Sequence, residues 1–473
     1  MCRAAIGMLA YSMLVLAGFC SLPARAQDWP EFGFSASGTR YNPAEYELGV
    51  TTVGKLKLTN KIDLGEAVYS SAAFVSNVAY VGSDYDVYAI GAHGINWDFA
   101  TSGLLSSSPA VASAIVYVGS YEDLYALDAT SGALLWTFST GGGVYSSPAV
   151  SGNMVYFGSA DNYVYALNAT TGSLAWKYQT GGAVVGSAAV ASGIAYISSD
   201  DGNLYALNAE TGVLVWSFSM GAGERVLYPS IANGIVYAGS ETGYLYALDA
   251  STGAMQWQYE TTAPIETGAA VANGSVYFCS ENGGLYSLNA ATGAANWSTY
   301  LDFVRSSPAV ANGVVYAGSY NDKVYAINAA TGATLWSHAT KNMIFASPTV
   351  ANGQLIIGSS DDDIYFFALP AGTKAGTTTT LSSSPNPSTY GEAVIFTAVV
   401  TWGEGAPPDG ETVSFMKGKT VLGTGTLSSG SASFTISTLK VGTNSITAEY
   451  SGDSNFASSK SKPLKQVVEK AAN

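Results

Sequence analysis

The stretch VYSSPAVSGNMVYFGSADNYVYALNATTGSLAW, residues 144–176, decides the fold. It divides into four short pieces of strand character: SSPAV, MVYFGS, YVYALN and SLAW. The breaks fall at Ser151-Gly152-Asn153, Ala160-Asp161-Asn162 and Thr170-Thr171-Gly172, residues that tolerate the dihedrals of tight turns. Within each piece β-branched, aromatic and small residues alternate, which suits a pleated sheet better than a helix. One sheet this small cannot bury both faces. The same pattern recurs along the chain.

Tryptophans count the copies. They stand at 97, 136, 176, 216, 257, 297 and 336, spaced 39, 40, 40, 41, 40 and 39 residues apart. That period, with four strands per unit, predicts a β-propeller. The innermost-strand signal occurs eight times: Ser70-Ser71, Ser107-Ser108, Ser146-Ser147, Gly186-Ser187, Tyr228-Pro229, Thr267-Gly268, Ser306-Ser307 and Ser347-Pro348. The eighth copy ends at IYFFALP (364–370) without its outer strand. Trp136 precedes Ser147 by 11 residues, and 11 residues before Ser71 stands Asn60, within LKLTNKIDL. An all-β, eight-bladed propeller over residues 27–370, its last blade closed by this N-terminal strand, is the expectation.

Composition fits a turn-rich β protein: 11% charged residues, 12% aromatics and 53 glycines in 473 residues. A net charge of −15 with no basic stripe argues against nucleic acid. Residues 1–26 read as a signal peptide, with Arg3, an apolar run from Ile6 to Cys20, and the cleavage pattern Ala24-Arg25-Ala26. Lipidation at Cys20 is the alternative, disfavoured by the bulk of Phe19. The run is too short for a membrane span. Cleavage leaves 17 basic and 34 acidic residues, no transmembrane segment, and one cysteine, Cys279, expected to be a small buried residue. Secretion to the bacterial periplasm or cell surface, as a monomer, is the expectation.

The pattern Y-A-L-(N/D)-A-x-T-G-x-x-x-W, at Tyr165–Trp176, Tyr205–Trp216 and Tyr246–Trp257, resembles the repeat of the pyrroloquinoline-quinone (PQQ) propeller family, the fold of the quinoprotein dehydrogenases. The resemblance covers residues 29–370. It implies that each Trp docks between a small residue of its own repeat and a glycine peptide of a neighbour. Trp136, Trp176, Trp216, Trp257, Trp297 and Trp336, with Gly132, Gly172, Gly212, Gly253, Gly293 and Gly332, are the positions this implies, Ala169 pairing with Trp176. Blade 1 departs from the pattern: GAHGINW (91–97) lacks the Thr-Gly step, so weaker docking is expected there. The family includes dehydrogenases and assembly-factor scaffolds, so the repeat specifies fold more than function.

Residues 371–380 read as a Gly/Thr linker. Residues 381–468 alternate like a small sandwich. Pro385-Asn386-Pro387, Tyr390-Gly391 and the ending Ala448–Asp453 resemble bacterial Ig-like repeats, which implies a spacer or adhesive module without catalytic residues. A tail, 469–473, follows.

Three groupings are candidates for chemistry. If the innermost strands line the channel, the slot two residues before the second Ser lies near its mouth. That slot holds Tyr69, Ser106, Tyr145, Val185, Val226, Glu266, Arg305 and Phe345, with Glu224 and Arg225 nearby and Tyr228 adding to the aromatic rim. Glu266 and Arg305 sit on neighbouring blades, either as a strand-tying ion pair or as a polar contact for a partner or ligand. The second grouping is the acidic turns, including Asp161, Asp201, Glu281 and Asp361–Asp363, which read as turn formers rather than a calcium loop. The third is a quinone site. The family's enzymes use a Trp platform, adjacent cysteines and a Ca²⁺ site, and this chain has no adjacent cysteines and commits its blade tryptophans to outer strands. His93 and His338 read as surface or edge positions.

These features point to a non-enzymatic binding or scaffold protein of the cell envelope, engaging a protein or small polar ligand at the propeller face at Tyr69, Tyr145, Arg225, Glu266, Arg305 and Phe345. No cofactor, no metal and no catalytic residue are expected. The alternatives are a PQQ- and Ca²⁺-dependent alcohol or sugar dehydrogenase and a carbohydrate- or polymer-binding surface protein.

Overall fold

In the third copy, Asn168 Oδ1 accepts the N–H groups of Thr170 (3.1 Å) and Thr171 (3.0 Å), and Gly172 follows at φ 69°. This turn joins Tyr163–Asn168 to Leu174–Gln179, completing a meander begun by Ala149–Ser151 and Met154–Ser159. The middle strands are buried on both faces because neighbouring sheets stack on either side, which explains their near-continuous apolar runs. The computed structural model describes residues 28–221, 226–402, 405–407, 409–453 and 456–470. The leader reading of 1–26, with Cys20, lies outside the described residues, as do Glu224 and Arg225.

Among the described residues, eight such sheets follow one another. Their innermost strands are Ala73–Val75, Ala110–Ala112, Ala149–Ser151, Ala189–Ala191, Val226–Ala232, Ala270–Ala272, Ala309–Ala311 and Thr349–Ala351. Each touches the next, and the last touches the first, so the sheets form a ring of blades. The eighth takes its outer strand, Lys57–Asp63, from near the chain start. It pairs antiparallel with Asp363–Ala368 and sets Asn60 opposite Phe366, the register in which Trp176 faces Ala166.

The repeated serine pairs have two separate jobs. The first serine ties to its own blade: Ser70 Oγ donates to Gly82 O (3.0 Å) and accepts Gly82 N–H (2.7 Å), as Ser146 does with Gly158. The second accepts the N–H of the preceding blade. Ser71 donates to Ser108, Ser108 to Ser147, Ser147 to Ser187, Gly268 to Ser307, Ser307 to Ser347 and Ser347 to Ser71, each at 2.9 Å. Blade 5 interrupts this belt, for Pro229 has no N–H to give; there Ser230 Oγ donates to Ala269 O instead (2.7 Å).

Tryptophan docking runs forward around the ring. Trp176 Nε1 donates to Ala209 O (2.9 Å), and a Cβ on Gly212 would lie 2.7 Å from its ring. Trp97, Trp136, Trp216, Trp257 and Trp297 repeat this on Ala129/Gly132, Ala169/Gly172, Ala250/Gly253, Ala290/Gly293 and Ala329/Gly332. The same carbonyls accept tyrosine hydroxyls, such as Tyr156 on Ala209 (3.1 Å). This corrects the expected pairing of Ala169 with Trp176: Ala169 O and Gly172 receive Trp136 from the preceding blade. The weak docking expected at blade 1 lies on its receiving side, for Trp97 itself docks on blade 2 as the others do. The truncated hairpin Gly91–Gly94 instead faces Asn60, so the seam between blades 8 and 1 lacks both the indole and its ledge. Among the described residues, Trp336 has no glycine partner of this kind. It packs against Phe367 (5.1 Å between rings), and the short 3-10 helix Val53–Lys55 lies against its strand, Thr334–Ala339.

The C-terminal sandwich packs Thr378–Ser384, Val394–Thr401 and Ser431–Ile436 against a second sheet containing Thr412–Lys417, Gly442–Tyr450 and Leu464–Glu469. Its first strand starts inside the segment read as linker. Ala375 is buried in its core and bridges Phe456, and the β-branched run at residues 377–380 that follows it suits a strand. The last strand ends at Glu469, one residue beyond the expected boundary. The two units touch through Tyr46, whose ring lies 5.9 Å from Trp402 and 5.5 Å from Phe456.

Candidate functional site at the channel mouth

The inside of the ring is filled by the chain itself. Residues 29–42, which carry no strand-like alternation, run a full circuit past the innermost strands. Trp29 O accepts Phe74 N–H (2.7 Å), Pro30 O accepts Val111 (2.7 Å) and Glu31 Oε2 accepts Val150 (3.1 Å). Ala36, Ser37, Thr39 and Arg40 carbonyls then accept Val190 (2.5 Å), Ile231 (2.8 Å), Val271 (2.9 Å) and Val310 (2.9 Å). Asn42 Nδ2 donates to Val350 O (2.9 Å) on blade 8. One contact per blade satisfies edge groups that the ring would otherwise leave unpaired in its interior.

Arg40 sits within this circuit at 1% exposure. Its guanidinium donates to the carbonyls of Pro308 (2.8 Å), Pro348 (3.1 Å) and Phe32, and lies 4.5 Å from the Phe32 ring centroid. Burial pulls its pKa down to about 9. Burial likewise pushes the Glu31 carboxyl up to about 8, opposed by the Val150 hydrogen bond. Tyr228, expected on the rim, packs its ring against Phe32 instead (5.1 Å), at φ 53°. The cavity left beside Glu31, Arg40 and Tyr228 measures about 20 Å³. That holds a water, and a flat three-ring quinone does not fit.

At the mouth, the structure brings four aromatic residues into a row. Tyr69 and Phe345 lie 5.3 Å apart between ring centroids, Phe345 and Tyr320 4.5 Å, Tyr320 and Phe303 4.7 Å. Tyr69 is 42% exposed. Tyr320 turns its hydroxyl inward beside Arg305; burial pushes its pKa up to about 12, and the Arg305 charge opposes this. Tyr145, on blade 3, folds over Gly143 and does not join this row.

Beside the row, Arg305 Nε lies 2.7 Å from Glu281 Oε1 and 3.2 Å from Glu266 Oε2. Partial burial works against the Arg305 charge, but the Glu281 hydrogen bond and the two carboxylates hold its pKa above the ordinary value. The triad ties blades 6 and 7 and leaves the Arg305 side chain 43% exposed. The inner-strand slot found Arg305, Glu266, Phe345 and Tyr69. It missed Glu281, Phe303 and Tyr320, which arrive from other loops; the Arg305 slot and the acidic turn needed to be read together to pair them.

Besides Glu281, the acidic turns brace their own blade and the end of the one before it. Asp161 Oδ2 accepts from Tyr165 OH (2.7 Å) and Gly141 N (2.8 Å), and Asp201 repeats this with Tyr205 and Gly181. In blades 6 and 7, Asn282 and Asn321 donate to Tyr286 and Tyr325 in the same place (2.8 Å each). Among the described residues, no group of three or more His, Cys, Asp or Glu could hold a metal ion. Cys279 is buried. His93 is exposed, and His338, read as a surface or edge position, lies on the outermost strand of its blade, half-buried against Trp336 and Phe367 with its pKa lowered by burial.

Family comparison settles the kinship. The model described as outer membrane protein assembly factor BamB matches residues 83–226, 200–303 and 301–399, well over half of the chain. The chain belongs to this BamB family. A bacterial Ig-like domain (group 3) matches residues 381–469. No curated protein matches significantly. Among solved structures, BamB from Moraxella catarrhalis aligns at 21% identity and TM-score 0.58, over 66% of this chain and 98% of that one. A europium-containing methanol dehydrogenase aligns at 15% and 0.64, over 73% and 98%. A quinohemoprotein alcohol dehydrogenase from Comamonas testosteroni aligns at 16% and 0.63, over 73% and 82%. At these identities the likeness is one of fold, shared by BamB and by dehydrogenases alike. No helix among the described residues is long and apolar enough to cross a membrane.

Proposed function

We propose that this BamB-family chain is a non-enzymatic binding scaffold of the bacterial cell envelope, which holds a protein partner on its channel-mouth face. One observation carries the reading: the chain's own residues 29–42 contact the innermost strand of every blade and leave about 20 Å³ beside Glu31, Arg40 and Tyr228, so recognition is assigned to the surface at the mouth. That surface offers Tyr69 and Phe345 as aromatic anchors beside the exposed edge of Arg305, residue types enriched where proteins meet. The family's description as an outer membrane assembly factor supports the envelope and a protein partner. The Ig-like domain serves as a spacer.

The test uses the full chain and a Tyr69→Ala/Phe345→Ala variant that melts at the same temperature, each immobilised and exposed to envelope extract. A protein retained by the wild type and lost by the variant supports the reading. Purified chain is also given PQQ and Ca²⁺ with an alcohol or sugar and an electron-accepting dye. A stoichiometric quinone spectrum with turnover would contradict it.

A further inference from the structure

A second cavity, of about 200 Å³, lies where the propeller's closing segment meets the Ig-like domain. Its propeller wall includes Tyr46, Thr51 and Asn312, and its Ig-side wall Thr378, Thr401 and Trp402. A water occupies ~30 Å³ of liquid, so the space holds several waters or one six-membered polyol ring. No charged side chain lines it.

Two wall residues have unmet hydrogen bonds. Trp402 Nε1 is a buried donor without a partner, and Asn312 Oδ1 a buried acceptor without one. Asn312 is 3% exposed, and its amide nitrogen is fixed on Tyr46 O (2.9 Å). Buried polar groups are rarely left in this state. Among the described residues, the hydroxyls of Thr51, Thr378 and Thr401 are engaged in no side-chain hydrogen bond, so they too are available. The rings of Tyr46 and Trp402, edge to face at 5.9 Å, add apolar surface.

We propose that this cavity binds one ring of a neutral sugar. A sugar hydroxyl both accepts and donates, so hydroxyls can meet the indole N–H and the amide oxygen, while the ring's C–H faces lie on the aromatic walls. An anion or cation would enter without a counter-charge. A purely apolar guest would leave both polar groups unmet. The site is separate from the mouth, and its occupant bridges the two domains.

Full-length protein is titrated with glucose, galactose and N-acetylglucosamine, with glucuronate as the charged comparator, by saturation-transfer NMR and tryptophan fluorescence. At least one neutral sugar is expected to bind and glucuronate is not. Trp402→Phe, which keeps an aromatic ring against Tyr46 and Phe456 but removes the donor, should weaken binding about tenfold, the worth of one hydrogen bond. Thr378→Arg, on an exposed position at the cavity edge, should abolish it without lowering the melting temperature. Absence of binding by every neutral sugar, equal binding of glucuronate, or unchanged affinity in both variants would overturn the proposal.

Discussion

Ser347 donates its backbone N–H to Ser71 Oγ across 2.9 Å, joining residues 276 apart in sequence. This is the bond by which the serine belt returns to its start. Ser71→Ala leaves a buried N–H unpaired, at a cost of ~1–3 kcal/mol. Ser106→Ala, at an exposed position of the next repeat, should stay within about 0.5 kcal/mol of wild type. Denaturant melts of the two variants check the difference.

Trp176→Ala should lose roughly 3–5 kcal/mol, as for other large buried aromatics. Gly212→Ala attacks the same contact from the other blade. Its Cβ would stand 2.7 Å from the Trp176 ring, at φ 71°, so overpacking and left-handed strain together cost roughly 2–4 kcal/mol. The double variant should lose less than the sum, because both remove one interaction.

Glu31 gives the channel segment a pH signature. Burial raises its folded pKa to about 8 from an ordinary value of 4.5. The folded state therefore holds a proton that the unfolded state releases between those values. Its contribution to stability is complete below about pH 4.5 and is lost as pH rises toward 8. Glu31→Gln keeps an acceptor for Val150 and removes the titration, so its stability should fall less than wild type from pH 5 to 8. Urea midpoints at intervals across that range measure this.

The Arg305 triad should matter little to folding. The Arg305 side chain is 43% exposed, and pairs of that kind contribute ~0–1 kcal/mol. Arg305→Ala should leave the melting temperature within a few degrees of wild type while reducing capture of the partner. A variant that unfolds readily would instead assign the triad to blade cohesion alone.

What the sequence discloses divides along the range of the contacts. Trp176 and its counterparts announce the blades because turn and strand chemistry is local, and the 11-residue offset leads to Asn60, which faces Phe366 where Trp176 faces Ala166. The forward direction of docking is not legible, since Ala169 looks the same whether it receives Trp136 or Trp176. Segment 29–42 is the largest gap. Its partners lie up to 308 residues away, Asn42 to Val350 being one, and GFSASGTR (33–40) has neither a strand nor a helix period. Of the mouth, the slot rule reaches Tyr69, Phe345, Glu266 and Arg305. Tyr320 and Glu281 depend on how adjacent blades turn toward each other, which no local pattern encodes.

The most direct test is hydrogen–deuterium exchange on the full chain, followed at the amides of Phe74, Val111, Val150, Val190, Ile231, Val271 and Val310. Each of these donates to residues 29–42, so all seven should exchange as slowly as the amides of the blade interiors. Exchange as fast as that of exposed turn amides would mean an open channel, and would contradict a ring filled by its own chain with recognition at the mouth.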